Sequence, residues 1–104
     1  MKRVAFKLFL NEGQKLEYQR RHEKIWPELK KVMKDAGISD YSIFLDGDSN
    51  TLFAVQTVSG DGGSQELGQL EVVRKWWEYM ADIMRVNPDN SPVTEPLEEL
   101  FYLE

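Results

Sequence analysis

The sequence contains no cysteine and only one histidine among 104 residues. Without cysteine there are no disulfides, thiolate nucleophiles or thiolate metal ligands, and a zinc site would need three carboxylates beside the lone histidine. The chain also lacks a basic excess. Its 13 Lys and Arg against 18 Asp and Glu leave a net charge of −5, the wrong sign for nucleic acid or an anionic membrane as main partner. No apolar run approaches the roughly 20 residues needed to span a bilayer. The N-terminal Met1-Lys2-Arg3-Val4-Ala5-Phe6-Lys7 has too short an apolar stretch, and no small-residue cleavage site, to read as an export signal. The expectation is a single cytoplasmic domain over residues 1–104, without metal or cofactor, acting on a neutral small molecule.

Hydrophobic periodicity outlines the elements. Val4, Phe6, Leu8 and Leu10 alternate as in a strand. Asn11-Glu12-Gly13 supplies a turn and a possible N-cap for a helix from Gln14 to about His22. Pro27 fits the first turn of a second helix, whose stripe of Leu29, Val32, Met33 and Ala36 ends at Gly37. A strand through Tyr41, Ile43 and Leu45, the turn Asp46–Asn50 and a strand Thr51–Val58 form a hairpin. The glycine-rich Ser59–Ser64 is expected to be a loop. A long helix from Gln65 to Arg85 should bury Leu70, Val73, Trp77, Met80 and Met84, and a loop over 86–96 leads to a last strand, Leu97–Leu103.

The order β-α-β-β-α-β, with the first helix bent or paired, predicts the α+β ferredoxin-like split βαβ fold with a four-stranded antiparallel sheet. Apolar residues occupy both strand registers: Phe9, Phe44, Phe53 and Val55 in one, Phe6, Ile43 and Leu52 in the other. Helices cover one face, so a homodimer packed sheet to sheet would cover the second.

Several motifs fail on inspection. Asp46-Gly47-Asp48-Ser49-Asn50 begins like a calcium loop but has Thr51 and Thr57 where Gly and Glu are required. Gly60-Asp61-Gly62-Gly63 lacks the spacing of a phosphate-binding loop. Haem with His22 as axial ligand is an alternative, although the acidic balance offers no evident basic pair for the propionates.

Two constellations persist. Tyr18 and His22 are four residues apart, on one face of a helix, and His22 is the one side chain able to give and take a proton near neutral pH. Lone histidines are also common as surface or satisfied interior residues. Trp76 and Trp77 diverge by about 100° on a helix, so one can be core while the other lies at its margin. The pair reads either as the edge of a buried stripe or as an aromatic wall for a sugar, whose C–H face is apolar and whose hydroxyls need directional partners.

Taken together, Tyr18-Gln19-Arg20-Arg21-His22, Ile25-Trp26-Pro27-Glu28-Leu29, Tyr41, Trp76-Trp77, Tyr79-Met80, Asn87-Pro88-Asp89-Asn90-Ser91-Pro92 and Phe101-Tyr102-Leu103 resemble the L-rhamnose mutarotase family across essentially the whole chain. The resemblance implies a dimeric α+β barrel and a 1-epimerase that interconverts the α and β anomers of L-rhamnose. It casts His22 as proton donor and Tyr18, Tyr41, Trp76 and Trp77 as substrate contacts, with no metal or redox cofactor. Ser59–Ser64 is more glycine-rich than the family pattern and Glu23-Lys24 looks variable; neither is expected to touch an implied site residue. Anomer exchange needs the ring oxygen protonated while the anomeric hydroxyl loses its proton, and the group taking that second proton is left open among Tyr18, a carboxylate and water. A non-catalytic sugar-binding module is the reading from a different functional class.

Overall fold

A computed structural model describes residues 1–60 and 62–104; Asp61, inside the expected glycine-rich loop, lies outside the described residues. Strands β1 (Lys2–Phe9) and β3 (Thr51–Val58) pair antiparallel along their full length, from Lys2 opposite Val58 to Phe9 opposite Thr51. Strand β2 (Ile38–Asp46) flanks β3 and the short β4 (Glu95–Leu97) flanks β1, giving the antiparallel order β2-β3-β1-β4. Helices α1 (Lys15–Glu23) and α2 (Pro27–Asp35) fill the first crossover and α3 (Glu71–Met80) the second. This is the expected ferredoxin-like α+β sheet.

The bend between α1 and α2 has a local cause. Trp26 caps α2 with an extended ψ of 130° and Pro27 occupies the first helical turn, where its missing N–H leaves no carbonyl unpaired. At the other end Gly37 adopts φ +88°, a conformation that other residues reach only under strain.

Strand alternation sorts the sheet into two unlike faces. Phe6 and Leu8 of β1, with Leu52, Ala54 and Val58 of β3, are buried beneath the helices, each large side chain contributing about 1.5–3 kcal/mol. Phe9, Phe53 and Val55 belong to the opposite register, where Phe44 sits directly across from Phe53 and is 63% exposed. A one-residue slip would exchange the two sets, so burial of the inner face fixes the register.

Four expectations need correction. The helix proposed over Gln65–Arg85 is a single 3₁₀ turn, Ser64–Glu66, followed by the ten-residue α3. Gly68 weakens helix before Leu70, and beyond Met80 the backbone turns to pair with the end of β1, through Arg85 N–H to Phe9 O at 2.8 Å and Asn11 N–H to Ile83 O at 2.9 Å. The last strand is Glu95–Leu97, two residues earlier and shorter than Leu97–Leu103. Pro96 is tolerated because β4 lies at the sheet edge, and beyond it Glu99 and Tyr102 engage the Arg3 side chain instead of extending the ladder. The N-cap of α1 is Gln14, while the Asn11 side chain reaches the Asp82 carbonyl. Strand β2 begins at Ile38, three residues before Tyr41, and is irregular between Ser39 and Ser42, where Asp40 has φ +49°.

Candidate active site

Helix α1 carries Tyr18 and His22 one turn apart, as their spacing requires. Their rings stack with centroids 4.4 Å apart, and the His22 ring meets Trp76 of α3 edge-on at 5.5 Å. His22 Nδ1 lies 3.0 Å from the Tyr18 carbonyl oxygen. A carbonyl can only accept, so Nδ1 carries the proton and donates it, which leaves Nε2 with its lone pair free in the neutral ring. Among the described residues no deeply buried side-chain nitrogen or oxygen lacks a partner; Nε2, which has none, is therefore accessible. His22 lines a cavity of about 780 Å³ between the inner sheet face and the helices, together with Tyr18, Tyr41, Trp76 and Trp77 and apolar residues such as Leu8. That volume lies within the usual range for small-molecule sites.

Burial sets the protonation states. Desolvation pulls the His22 pKa below its ordinary 6.5, against a smaller opposing effect of the hydrogen bond to the Tyr18 carbonyl. The imidazole is therefore neutral in the free site at pH 7. Burial, with a minor contribution from Tyr41, pushes the Tyr18 phenol well above its ordinary range. Burial also raises Tyr41, opposed by the neighbouring Ser64 hydroxyl. Both phenols stay protonated at neutral pH and present an O–H and oxygen lone pairs to the cavity. Carboxylates do reach the cavity wall, at Glu23 and Asp40.

The helix bearing His22 is held by directional contacts. Arg21, only 9% exposed, donates to Glu17 at 2.7 Å, to Asp82 at 2.9 Å and to the Tyr79 carbonyl near the C-terminus of α3 at 2.7 Å. Its guanidinium also lies over the Tyr79 ring, 4.4 Å from the centroid. Tyr79 stacks on Trp26, and Trp26 meets Trp76 edge-on at 5.1 Å. Arg21 and the run of rings therefore join α1, the bend and α3 around His22. Trp77 rests against Gly68, where an added Cβ would lie 2.9 Å from the indole.

All five residues singled out from the sequence, His22, Tyr18, Tyr41, Trp76 and Trp77, line the one cavity. The tryptophans exchange places relative to the expected stripe: Trp76, in line with Val72, Val73 and Met80, is buried, and Trp77 is the partly exposed one. The buried face of α3 is centred on 72, 73, 76 and 80. Sequence reasoning missed Arg21, Trp26 and Ser64. Arg21 offered only its spacing four residues after Glu17, the pattern of an ordinary solvated ion pair; Ser64 offered nothing. The glycine-rich loop does reach the site, since Ser64 lines the cavity beside Tyr41, and Glu23 lines it too. Among the described residues no group of three His, Asp or Glu side chains is arranged to hold a metal ion.

The L-rhamnose mutarotase family model matches residues 3–103. An L-rhamnose mutarotase of Formosa agariphila is 64% identical over 104 residues, and one of Bacteroides thetaiotaomicron is 58% identical over 104, each covering all of both chains. A third, from Paraburkholderia phytofirmans, is 52% identical over 103 residues, covering 99% of this chain and 96% of its own. The crystal structure of an L-rhamnose mutarotase from Formosa agariphila superposes with a TM-score of 0.93 at 59% identity, covering all of both chains. The chain belongs to the L-rhamnose mutarotase family.

Proposed function

We propose that this protein interconverts the α and β anomers of L-rhamnose by acid–base ring opening and reclosure, with His22 as the proton donor. The observation that carries this is the state of His22: Nδ1 is tied to the Tyr18 carbonyl, Nε2 has no partner, and the residue lines a cavity together with Tyr18, Tyr41, Trp76 and Trp77. In the protonated minority of molecules, the imidazolium delivers its Nε2 proton to the ring oxygen as the C1–O5 bond opens and the anomeric hydroxyl gives its proton to a carboxylate or water; rotation of the aldehyde and closure from the other face run both transfers in reverse. The lowered His22 pKa makes the imidazolium a stronger acid than free histidine. Tyr18 and Tyr41 offer hydroxyl groups to the sugar, while Trp76 and Trp77 supply flat apolar surface for its C–H face. The chain's acidic balance suits a neutral sugar and not nucleic acid.

The open sheet face, with Phe44 across from Phe53, and the exposed tail residues Leu100, Phe101 and Leu103 favour a homodimer in which a second copy covers them. No described helix is long and apolar enough to cross a membrane. The cysteine-free composition suits a reducing cytoplasm, where the reaction would act on intracellular sugar.

The test is anomeric exchange of L-rhamnose followed by NMR. His22→Ala should lower the catalysed rate by about 10²–10⁴-fold, the usual contribution of a positioned acid–base group, with a melting curve to establish that the variant is folded at the assay temperature. Full exchange by the folded variant removes His22 from the reaction. Tight sugar binding without exchange by the unmodified protein would instead make it a binding module.

A further inference from the structure

The segment Asn87-Pro88-Asp89-Asn90-Ser91-Pro92 closes on itself through its own groups. Asn87 N–H donates to the Ser91 carbonyl and Asn90 N–H to the Asn87 carbonyl, each at 2.8 Å. The Asn87 side-chain nitrogen lies 3.1 Å from Ser91 Oγ, 3.3 Å from the Ser91 carbonyl oxygen and 3.4 Å from that of Pro92. A carbonyl can only accept, so Nδ2 and not Oδ1 must face these partners. The Ser91 hydroxyl, accepting from Asn87, gives its own proton to Asp89 Oδ1, which also takes the Ser91 N–H at 3.0 Å. Asn90 completes the turn at φ +70°, a conformation that asparagine reaches more readily than most residues.

The neck of this clasp belongs to the site. Val86 and Pro92 pair across it as an antiparallel bridge, and Val93 N–H returns to the Arg85 carbonyl at 3.2 Å. Both Val86 and Pro92 line the His22 cavity, as do Leu10 and Met84, which form a bridge of their own. Asn87, Pro88 and Asp89 are exposed. A polar side chain on the outside of the loop thus ties together two residues of the cavity wall.

We infer that Asn87 is a positioning residue for sugar binding: its amide holds the 86–92 loop closed, so that Val86 and Pro92 stand as a fixed part of the cavity wall. The clasp is built from the loop's own groups and needs no sugar to hold it. An unclasped loop would spend only part of its time with that wall in place, and apparent affinity would fall by that fraction. Once the sugar is bound the wall and His22 are as in the parent, so the chemical step is unaltered. The inference rests on this cavity being the rhamnose site and adds that the loop serves it as a preformed wall, not as a moving lid.

Anomeric exchange of L-rhamnose measured by NMR over a range of sugar concentrations tests this, with a melting curve for each variant. Asn87→Ala should raise KM by about three- to tenfold and leave kcat within about twofold. Asn87→Asp keeps the shape but sets a carboxylate oxygen against the Ser91 and Pro92 carbonyls, and should raise KM at least as far. Ser91→Ala, which removes one acceptor of the Asn87 amide and the hydroxyl bond to Asp89, should raise it by about two- to threefold. In a Val86→Ala background, where part of the wall is already missing, Asn87→Ala should raise KM by a smaller factor than in the parent. An unchanged KM in folded Asn87→Ala would overturn the inference, and so would a loss confined to kcat or an equal factor in both backgrounds. These outcomes are read on KM, whereas the proposed reaction stands or falls on the exchange rate of His22→Ala, so failure of one is distinguishable from failure of the other.

Discussion

Helices α1 and α3 both line the cavity and are fastened by different physics. Helix α3 buries Val72, Val73, Trp76 and Met80, whereas α1 buries only Tyr18 and Arg21. Apolar burial holds α3 and is indifferent to small rotations, because the hydrophobic effect is non-directional. Helix α1 is held to its surroundings by the Arg21 hydrogen bonds to Asp82 and the Tyr79 carbonyl and by the edge-on contact of His22 with Trp76, all of which depend on angle as well as distance. The group proposed to move protons thus sits on the helix whose orientation is fixed, and the aromatic wall on the helix whose depth is fixed. They meet at the edge-on contact of His22 with Trp76.

The largest effect that would sharpen this contrast lies on α3. Met80 is 2% exposed, and Met80→Ala should destabilise the fold by about 2–5 kcal/mol through lost burial and the cavity left behind. Denaturant melts measure that cost. Met80 also lines the cavity, so exchange by the fraction that remains folded should fall a few-fold, and by far less than in His22→Ala, since α1 and His22 are untouched. A folded Met80→Ala protein that has lost its exchange would show that α3 orients the catalytic group after all.

Arg21→Leu should reverse the pattern. Its partner Asp82 is largely exposed, with 68% of the side-chain surface open, so no buried charge is stranded and the stability cost should be only about 1–3 kcal/mol. Exchange should fall more steeply than stability, by about tenfold or more, because misplacing His22 even slightly is penalised in the transition state. The informative comparison is kcat in the two variants at matched folded fraction. An Arg21→Leu enzyme with normal kcat would place Arg21 in stability alone.

The same contrast explains what was legible in the sequence. Strand β3 is found at its expected bounds, Thr51–Val58, because strict alternation against a buried face leaves one register. The Tyr18–His22 face and the helix start at Pro27 rest on local geometry and could be read directly. The length of α3 could not, since its stripe continues through Ile83 and Met84, which are buried by pairing with the end of β1 and not by helix. Periodicity reports burial and is silent on which backbone pairing produces it. Arg21 was hidden for the opposite reason: a charged residue on a polar helix reads as solvated until the fold brings Tyr79 and Asp82 to it from 58 and 61 residues away. Ser64 is hydrogen-bonded through its N–H and hydroxyl to Gln56, a polar residue inside a strand of apolar neighbours, and only burial reveals that pairing.

The smallest expected effect is also the most specific to the contrast: acid should loosen α1 before α3. Burial holds the His22 pKa below 6.5, so the unfolded chain binds a proton first and stability falls as pH drops below 6.5 toward the folded value. Next, Arg20 and Arg21 hold the Glu17 carboxyl down to about 2 from an ordinary 4.5, and Arg21 likewise depresses Asp82. Both are lowered acids, so their stabilisation is present at neutral pH and, for Glu17, is lost as pH falls from about 4.5 toward 2. On α3 the one depressed acid is Glu71, paired with Lys75 on the exposed side, where an ion pair contributes little. Amide exchange of α1 should therefore accelerate on acidification ahead of that of α3, and Glu17→Gln should remove most of the step below about pH 4.5 without altering the one assigned to His22. Uniform acceleration of both helices at every pH would mean that they open as one unit, and the division of labour between directional and apolar fastening would not survive it.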